Sequence, residues 1–117
     1  MPRLRQNRGM DAFVSIYITA ASAAEADTIA QVLVEERLAA CVNILPGIRS
    51  IYRWEGRVQE DAEVALIAKS RADLFDTLCD RVKTLHSSSC PCIVAWPIAA
   101  GFQPYLDWLA EETKQDK

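Results

Sequence analysis

The chain has 117 residues, half of them hydrophobic and a quarter charged, which suits one globular domain whose core needs no disulfide staples. Its formal charge is −3, but Arg3, Arg5 and Arg8 all fall in the first ten residues, so residues 11–117 carry −6 and are poorly suited to nucleic acid. The opening residues lack the apolar run of an export signal and the length of a membrane span. We therefore expect a cytoplasmic protein with no nucleic-acid or membrane partner. Its four cysteines should be reduced, with a disordered extension over residues 1–11 ahead of a single domain over 12–117.

Residues 12–20 alternate Phe13, Ser15, Tyr17 and Thr19 with Val14, Ile16 and Ile18, the period of a first strand. Ser22 and Glu25 form a capping-box pattern, and Ile29, Leu33 and Leu38 then recur at helical spacing, which predicts a helix ending near Ala39 with Glu36 and Arg37 on its solvated side. Residues 41–69 read as two long strands, the first interrupted at Pro46-Gly47 and the two joined by a turn at Glu55-Gly56-Arg57. Arms of that length exceed an ordinary strand of about five or six residues, so the tip should overhang the sheet. Ile51, Tyr52 and Trp54 near the tip would then expose apolar surface of the kind that marks an assembly interface.

A second helix is predicted to open at Ser70-Arg71-Ala72-Asp73, with Leu74, Leu78, Val82 and Leu85 as its apolar stripe. A fourth strand over residues 92–97 and a closing helix over 103–113, with Pro104 in its first turn, complete the chain. The order β-α-β-β-α-β-α is that of an α+β, ferredoxin-like split βαβ sandwich with a long hairpin and one terminal helix. That scaffold carries many unrelated activities, so function must come from particular residues.

The connection from His86 to Cys92 is the stretch richest in chemistry. On a strand, Cys90 and Cys92 would share a face, with Pro91 restraining the chain between them. Two thiols beside the only histidine could supply part of a copper or zinc coordination sphere. The competing reading is packing, since cysteine is often a small buried hydrophobe. A local disulfide is disfavoured on a strand, where residues two apart stand about 6.6 Å apart, near the upper end of disulfide geometry. Cys79 adjoins the Leu78 stripe and reads as helix packing.

Several short motifs occur in sequence: Glu36-Arg37-Leu38-Ala39-Ala40-Cys41-Val42-Asn43-Ile44, Ser50-Ile51-Tyr52-Arg53-Trp54-Glu55-Gly56, Leu85-His86, Trp96-Pro97-Ile98 and Tyr105-Leu106-Asp107-Trp108. Together they resemble the CutA divalent-cation tolerance family over nearly all of residues 12–114. The resemblance implies a ferredoxin-like protomer in a tight homotrimer, cytoplasmic in bacteria and associated with copper and divalent-ion tolerance. It adds Cys41, which matches the family's recurrent cysteine, as a further candidate ligand, and supports a pocket near Lys69. The chain departs from the pattern after Leu85-His86, where the family's usual tyrosine and glutamate correspond to Ser88 and Cys92, and Cys90 replaces an aliphatic residue or threonine.

The leading expectation is thus a non-enzymatic homotrimer binding copper, zinc or another divalent ion, with His86, Cys90, Cys92 and Cys41 as ligands and no obligatory cofactor. Its alternative is a trimeric small-ligand sensor or scaffold in which Lys69, Arg53 and Trp54 line an intersubunit pocket. An acylphosphatase-like enzyme on the same scaffold is disfavoured, because no glycine-rich phosphate loop follows the first strand.

Overall fold

The period-two run of the first strand puts Val14, Ile16, Ile18 and Ala20 on one buried face in a computed structural model that describes residues 12–115. The extension expected over residues 1–11 lies outside the described residues. The elements are β1 (Phe13–Ala20), α1 (Ala23–Glu35), β2 (Cys41–Trp54), β3 (Arg57–Arg71), α2 (Phe75–Leu85), β4 (Ile93–Pro97) and α3 (Gln103–Glu112). All neighbouring strands are antiparallel, in the order β2-β3-β1-β4, the ferredoxin-like arrangement. Ile29 and Leu33 of α1 and Leu78 and Val82 of α2 join the β1 side chains, Leu66 and Ala68 in one core.

Three boundaries differ from the sequence expectation. Helix α1 stops at Glu35 rather than near Ala39, because Arg37 takes a left-handed conformation at φ 60°. The Arg37 and Leu38 N–H groups then donate back to the Val34 and Leu33 carbonyls, the paired bonds of a Schellman ending. Glu36 and Arg37 are accordingly not idle solvated residues. Glu36 takes Arg81 of α2 at 2.9 Å, and the Arg37 guanidinium donates to the Glu111 and Glu112 carbonyls at the end of α3.

The second helix begins later than expected. Strand β3 runs through Ser70 and Arg71, a short 3-10 turn covers Ala72–Leu74, and α2 starts at Phe75. Ser70 is fully buried, which its hydroxyl tolerates by donating to the Leu38 carbonyl at 2.6 Å. The fourth strand begins at Ile93, so neither Cys90 nor Cys92 belongs to it.

The hairpin is long, as its sequence suggests. Only residues 64–71 of β3 pair with β1, so residues 48–54 and 57–63 form a ribbon with no other strand beside it among the described residues. At ~3.3 Å per residue it extends about 20 Å past the four-stranded part. Trp54 pairs with Arg57 across Glu55 and Gly56, whose φ values of 51° and 78° suit a tight two-residue turn. Between Leu45 and Ile48 the register shifts by one residue, a bulge in which Gly47 adopts φ 78°.

That bulge decides which hairpin residues face the open side of the sheet. Before it, Cys41, Asn43 and Leu45 pair with Lys69, Ile67 and Ala65 and share the face of Ser15, Tyr17 and Thr19. After it the parity flips, so Ser50, Tyr52 and Trp54 take over that face.

Candidate ligand groove and thiol loop

On this face, opposite α1 and α2, the ribbon and the loop ahead of β4 enclose a groove of about 520 Å³. Tyr17, Thr19 and Glu63 form its floor, Ser50, Tyr52 and Trp54 one wall, and His86, Ser88, Cys90, Pro91 and Cys92 the other. Tyr52 donates its hydroxyl hydrogen to the Asp61 carboxylate, which holds the phenol across the ribbon and raises its pKa by that bond first, then by burial and nearby acidic charge.

The thiol loop is pinned at its root by His86, whose side chain is only 5% exposed. Ser88 N–H donates to Nδ1 at 3.0 Å, so in the uncharged ring the proton sits on Nε2, which donates to the Thr19 carbonyl at 2.7 Å. The Thr19 carbonyl points to the β4 side, because its strand neighbour two by two, Phe13, accepts from Ile98. The ring therefore takes the acceptor that a continued ladder would offer to Cys92, and β4 cannot begin earlier on that side. Glu25 completes the anchor, with its carboxylate accepting from Ser87 N–H at 3.1 Å and Ser87 Oγ at 2.8 Å and lying 3.3 Å from His86 Nδ1. Ser22 caps α1 by accepting from Glu25 N–H, but the Glu25 side chain turns to this loop 62 residues away instead of closing the capping box.

These contacts correct the expected ligand set. Both His86 nitrogens are committed to the backbone, so the ring supports the loop and has no free donor for an ion. Cys90 and Cys92 are free, exposed thiols on the groove wall, but on a loop, so the shared strand face expected for them does not exist. Cys41 pairs with Lys69, which pairs in turn with Ser15, four residues along the sheet from Thr19, and β2 lies three strands across from β4. Strand spacings make that about 13 Å by 14 Å, so Cys41 cannot share an ion with Cys92 in one chain. It lies instead against Tyr105 of α3, whose pKa is raised by burial first and then by Cys41. Among the described residues no three His, Cys, Asp or Glu side chains stand gathered for a metal ion.

The expected pocket of Lys69, Arg53 and Trp54 is also not formed within one chain. Lys69 sits at the foot of the hairpin, where it donates to Asn43 Oδ1 at 3.3 Å, while Arg53 and Trp54 stand at the far tip. Ile51, Tyr52 and Trp54 are exposed as the overhang implies, at 64%, 39% and 46%, with Ile51 on the opposite face from the two aromatic residues.

Glu63 was not singled out by its sequence context, a polar run in a strand, yet it faces the thiols. Burial raises the Cys92 pKa first and the Glu63 charge raises it further, with a contact to Thr19 opposing. Cys79 on α2 has a raised pKa through burial and through Asp76 and Asp80.

The sequence pattern of the CutA1 divalent ion tolerance protein matches residues 14–112. The chain belongs to the CutA1 family. The divalent-cation tolerance protein CutA of Thermus thermophilus is 56% identical over 98 residues, spanning 84% of this chain and 95% of that one. The protein of the same name from Archaeoglobus fulgidus is 49% identical over 96 residues, spanning 82% and 93%. The solved T. thermophilus Cut A1 structure matches with a TM-score of 0.86 at 54% identity, covering 87% of this chain and 99% of that one. The CutA1 structure from Oryza sativa gives 0.87 at 40% identity, covering 93% and 100%. The ferredoxin-like CutA1 fold thus carries, in this chain, a groove with two exposed thiols at its edge.

Proposed function

We propose that this CutA1-family chain contributes to divalent-ion tolerance as a non-enzymatic homotrimer that takes a copper or zinc ion at the thiol loop. The observation that carries the reading is the placement of the two exposed thiols of Cys90 and Cys92 on one wall of the groove. Thiolate sulfur suits Cu(I) and Zn(II). His86 would act behind these donors by fixing the loop, and assembly or solvent would complete the sphere.

The trimer is supported by the overhanging ribbon. A lone two-stranded ribbon is marginal in water, and this one exposes Ile51 and Val58 on one face and Tyr52 and Trp54 on the other. A binding role rather than catalysis is supported by His86, whose nitrogens are both engaged and cannot activate the neighbouring serines. Four free thiols suit a reducing cytoplasm.

The test is anaerobic titration of reduced protein with Cu(I) or Zn(II) against a competing thiol chelator, with light scattering on the same samples. The double variant Cys90→Ser, Cys92→Ser should lose most binding and keep the wild-type mass, whereas Trp54→Asp should lower the mass. Equal metal affinity in wild type and double variant rejects the site, and a stable wild-type monomer at micromolar concentration rejects the assembly.

A second reading is favoured by the aromatic side chains of Tyr17, Tyr52 and Trp54 in a groove of ligand-sized volume. A small organic ligand held there would bind equally well to the double cysteine variant and be lost on Trp54→Ala.

A further inference from the structure

We propose that Cys90 and Cys92 form a dithiol–disulfide couple that exchanges with low-molecular-weight disulfides. The first argument is partnership. Of the four free thiols, Cys41 lies beyond reach at the far corner of the sheet, and Cys79 is carried by α2 on the opposite, helix-covered face. Each loop thiol has only the other as an intramolecular partner.

The second argument is backbone geometry. The objection to a local disulfide applies to an extended strand, where the two Cα atoms approach the upper limit of disulfide separation. Here Cys90 ends a bend over residues 87–90 and Cys92 precedes β4, so neither is held extended by a ladder. Both flanks are fixed: His86 and Ser87 are anchored to Thr19 and Glu25, and Ile93 is paired with Ile18. Between them the bond from Cys90 N–H to Ser88 Oγ lies within the bend itself, and Pro91 has no N–H to lose. Drawing the two sulfurs together therefore breaks no backbone hydrogen bond between elements and gives up only the contact of the Cys92 thiol to Thr19.

The third argument is access, since both thiols are exposed at the groove edge and a small disulfide can reach them. In the first step the Cys90 thiolate attacks one sulfur of the disulfide, forming a mixed disulfide and expelling one thiolate, which takes up a proton. The Cys92 thiolate then attacks Cys90 Sγ, closes the loop disulfide and expels the second thiol. Two protein thiols are oxidised and one external disulfide is reduced to two thiols. Exposed disulfides in short loops are the readily reduced ones, so the step should run in both directions. The inference stands whether or not the pair also holds metal.

The experiment uses the full chain, reduced and kept metal-free with a chelator, equilibrated in buffers of reduced and oxidised glutathione. Samples are quenched by alkylation and read by intact mass and peptide mapping. Wild type should lose two of its four alkylatable thiols together, with the disulfide mapped to the Cys90-Pro91-Cys92 segment and no lasting glutathione adduct. Cys92→Ser should accumulate one glutathione on Cys90. Four free thiols across the whole series, separate adducts without a loop disulfide, or a disulfide joining two chains would each overturn the proposal. Failure of metal binding would leave these readouts unchanged, so the two readings are judged separately.

Discussion

Replacing His86 with alanine tests whether one buried ring sets the geometry of the thiol loop. The ring is 5% exposed and bridges Thr19 and Ser88 by bonds of 2.7 and 3.0 Å. Truncation leaves the Thr19 carbonyl without its donor, which costs about 2 kcal/mol for a shielded acceptor. Lost packing of the ring carbons adds about 1 kcal/mol, of the order of one buried methylene. The Ser88 N–H is exposed and rehydrates, and Glu25 keeps both bonds to Ser87, so neither adds a term. The expected loss is about 3 kcal/mol, or roughly 10 °C in Tm for a domain near this size. Urea unfolding of wild type, His86→Ala and His86→Gln at one fixed protein concentration would measure it without confounding by assembly. The glutamine amide can still donate toward Thr19 and should recover part of the loss. A His86→Ala variant within about 0.5 kcal/mol of wild type, the ordinary range of a surface substitution, would show that the ring does not pin the loop.

Glu63→Gln should speed alkylation of Cys92 near pH 8, because removing the negative charge lowers a thiol pKa that burial and Glu63 both raise; quantitative mass spectrometry showing an unchanged or slower rate would contradict that arrangement. The Arg71 guanidinium holds Asp73 below its ordinary value of 3.8 through a two-point contact. The pair's contribution is therefore present above the unfolded carboxylate pKa and fades as pH falls through the lower folded value. Arg71→Ala should move the Asp73 carboxyl NMR titration upward, at a cost under about 1 kcal/mol at neutral pH for so exposed a pair; no movement would dismiss the contact. Gly56→Val forces a branched residue into φ 78° and should cost about 1–2 kcal/mol by denaturant unfolding, although its Cβ would meet no neighbour. Unchanged stability would mean that the tip does not hold its tight turn.

The elements legible in the sequence are those whose cause is local. Strand β1 announces itself by strict alternation, α1 by Ser22, and the hairpin tip by Glu55-Gly56, since each depends on residues a few positions apart. The CutA1 family was legible for a different reason: its short motifs stand in order along the chain and need no contacts to be read. What sequence could not give is anything decided at long range. Arg37 ends α1 in a conformation usually left to glycine, and its side chain meets α3 carbonyls more than seventy residues away. Glu25 fits a capping box perfectly well as a string, yet its carboxylate is drawn to Ser87.

The groove shows the same dependence most sharply. Counting in twos from Cys41 assigns Tyr52 and Trp54 to the helix side of the sheet, together with Val42 and Ile44. The single extra residue at Pro46-Gly47 reverses that parity and turns both aromatic rings toward Cys90 and Cys92. The bulge is thus not a blemish in a long strand. It is the step that lets one continuous arm contribute aliphatic side chains to the core at its base and aromatic side chains to the groove near its tip. The thiol loop depends equally on interruption: because His86 occupies the Thr19 carbonyl, Cys92 is left out of the ladder and both loop thiols remain free to meet an ion or each other.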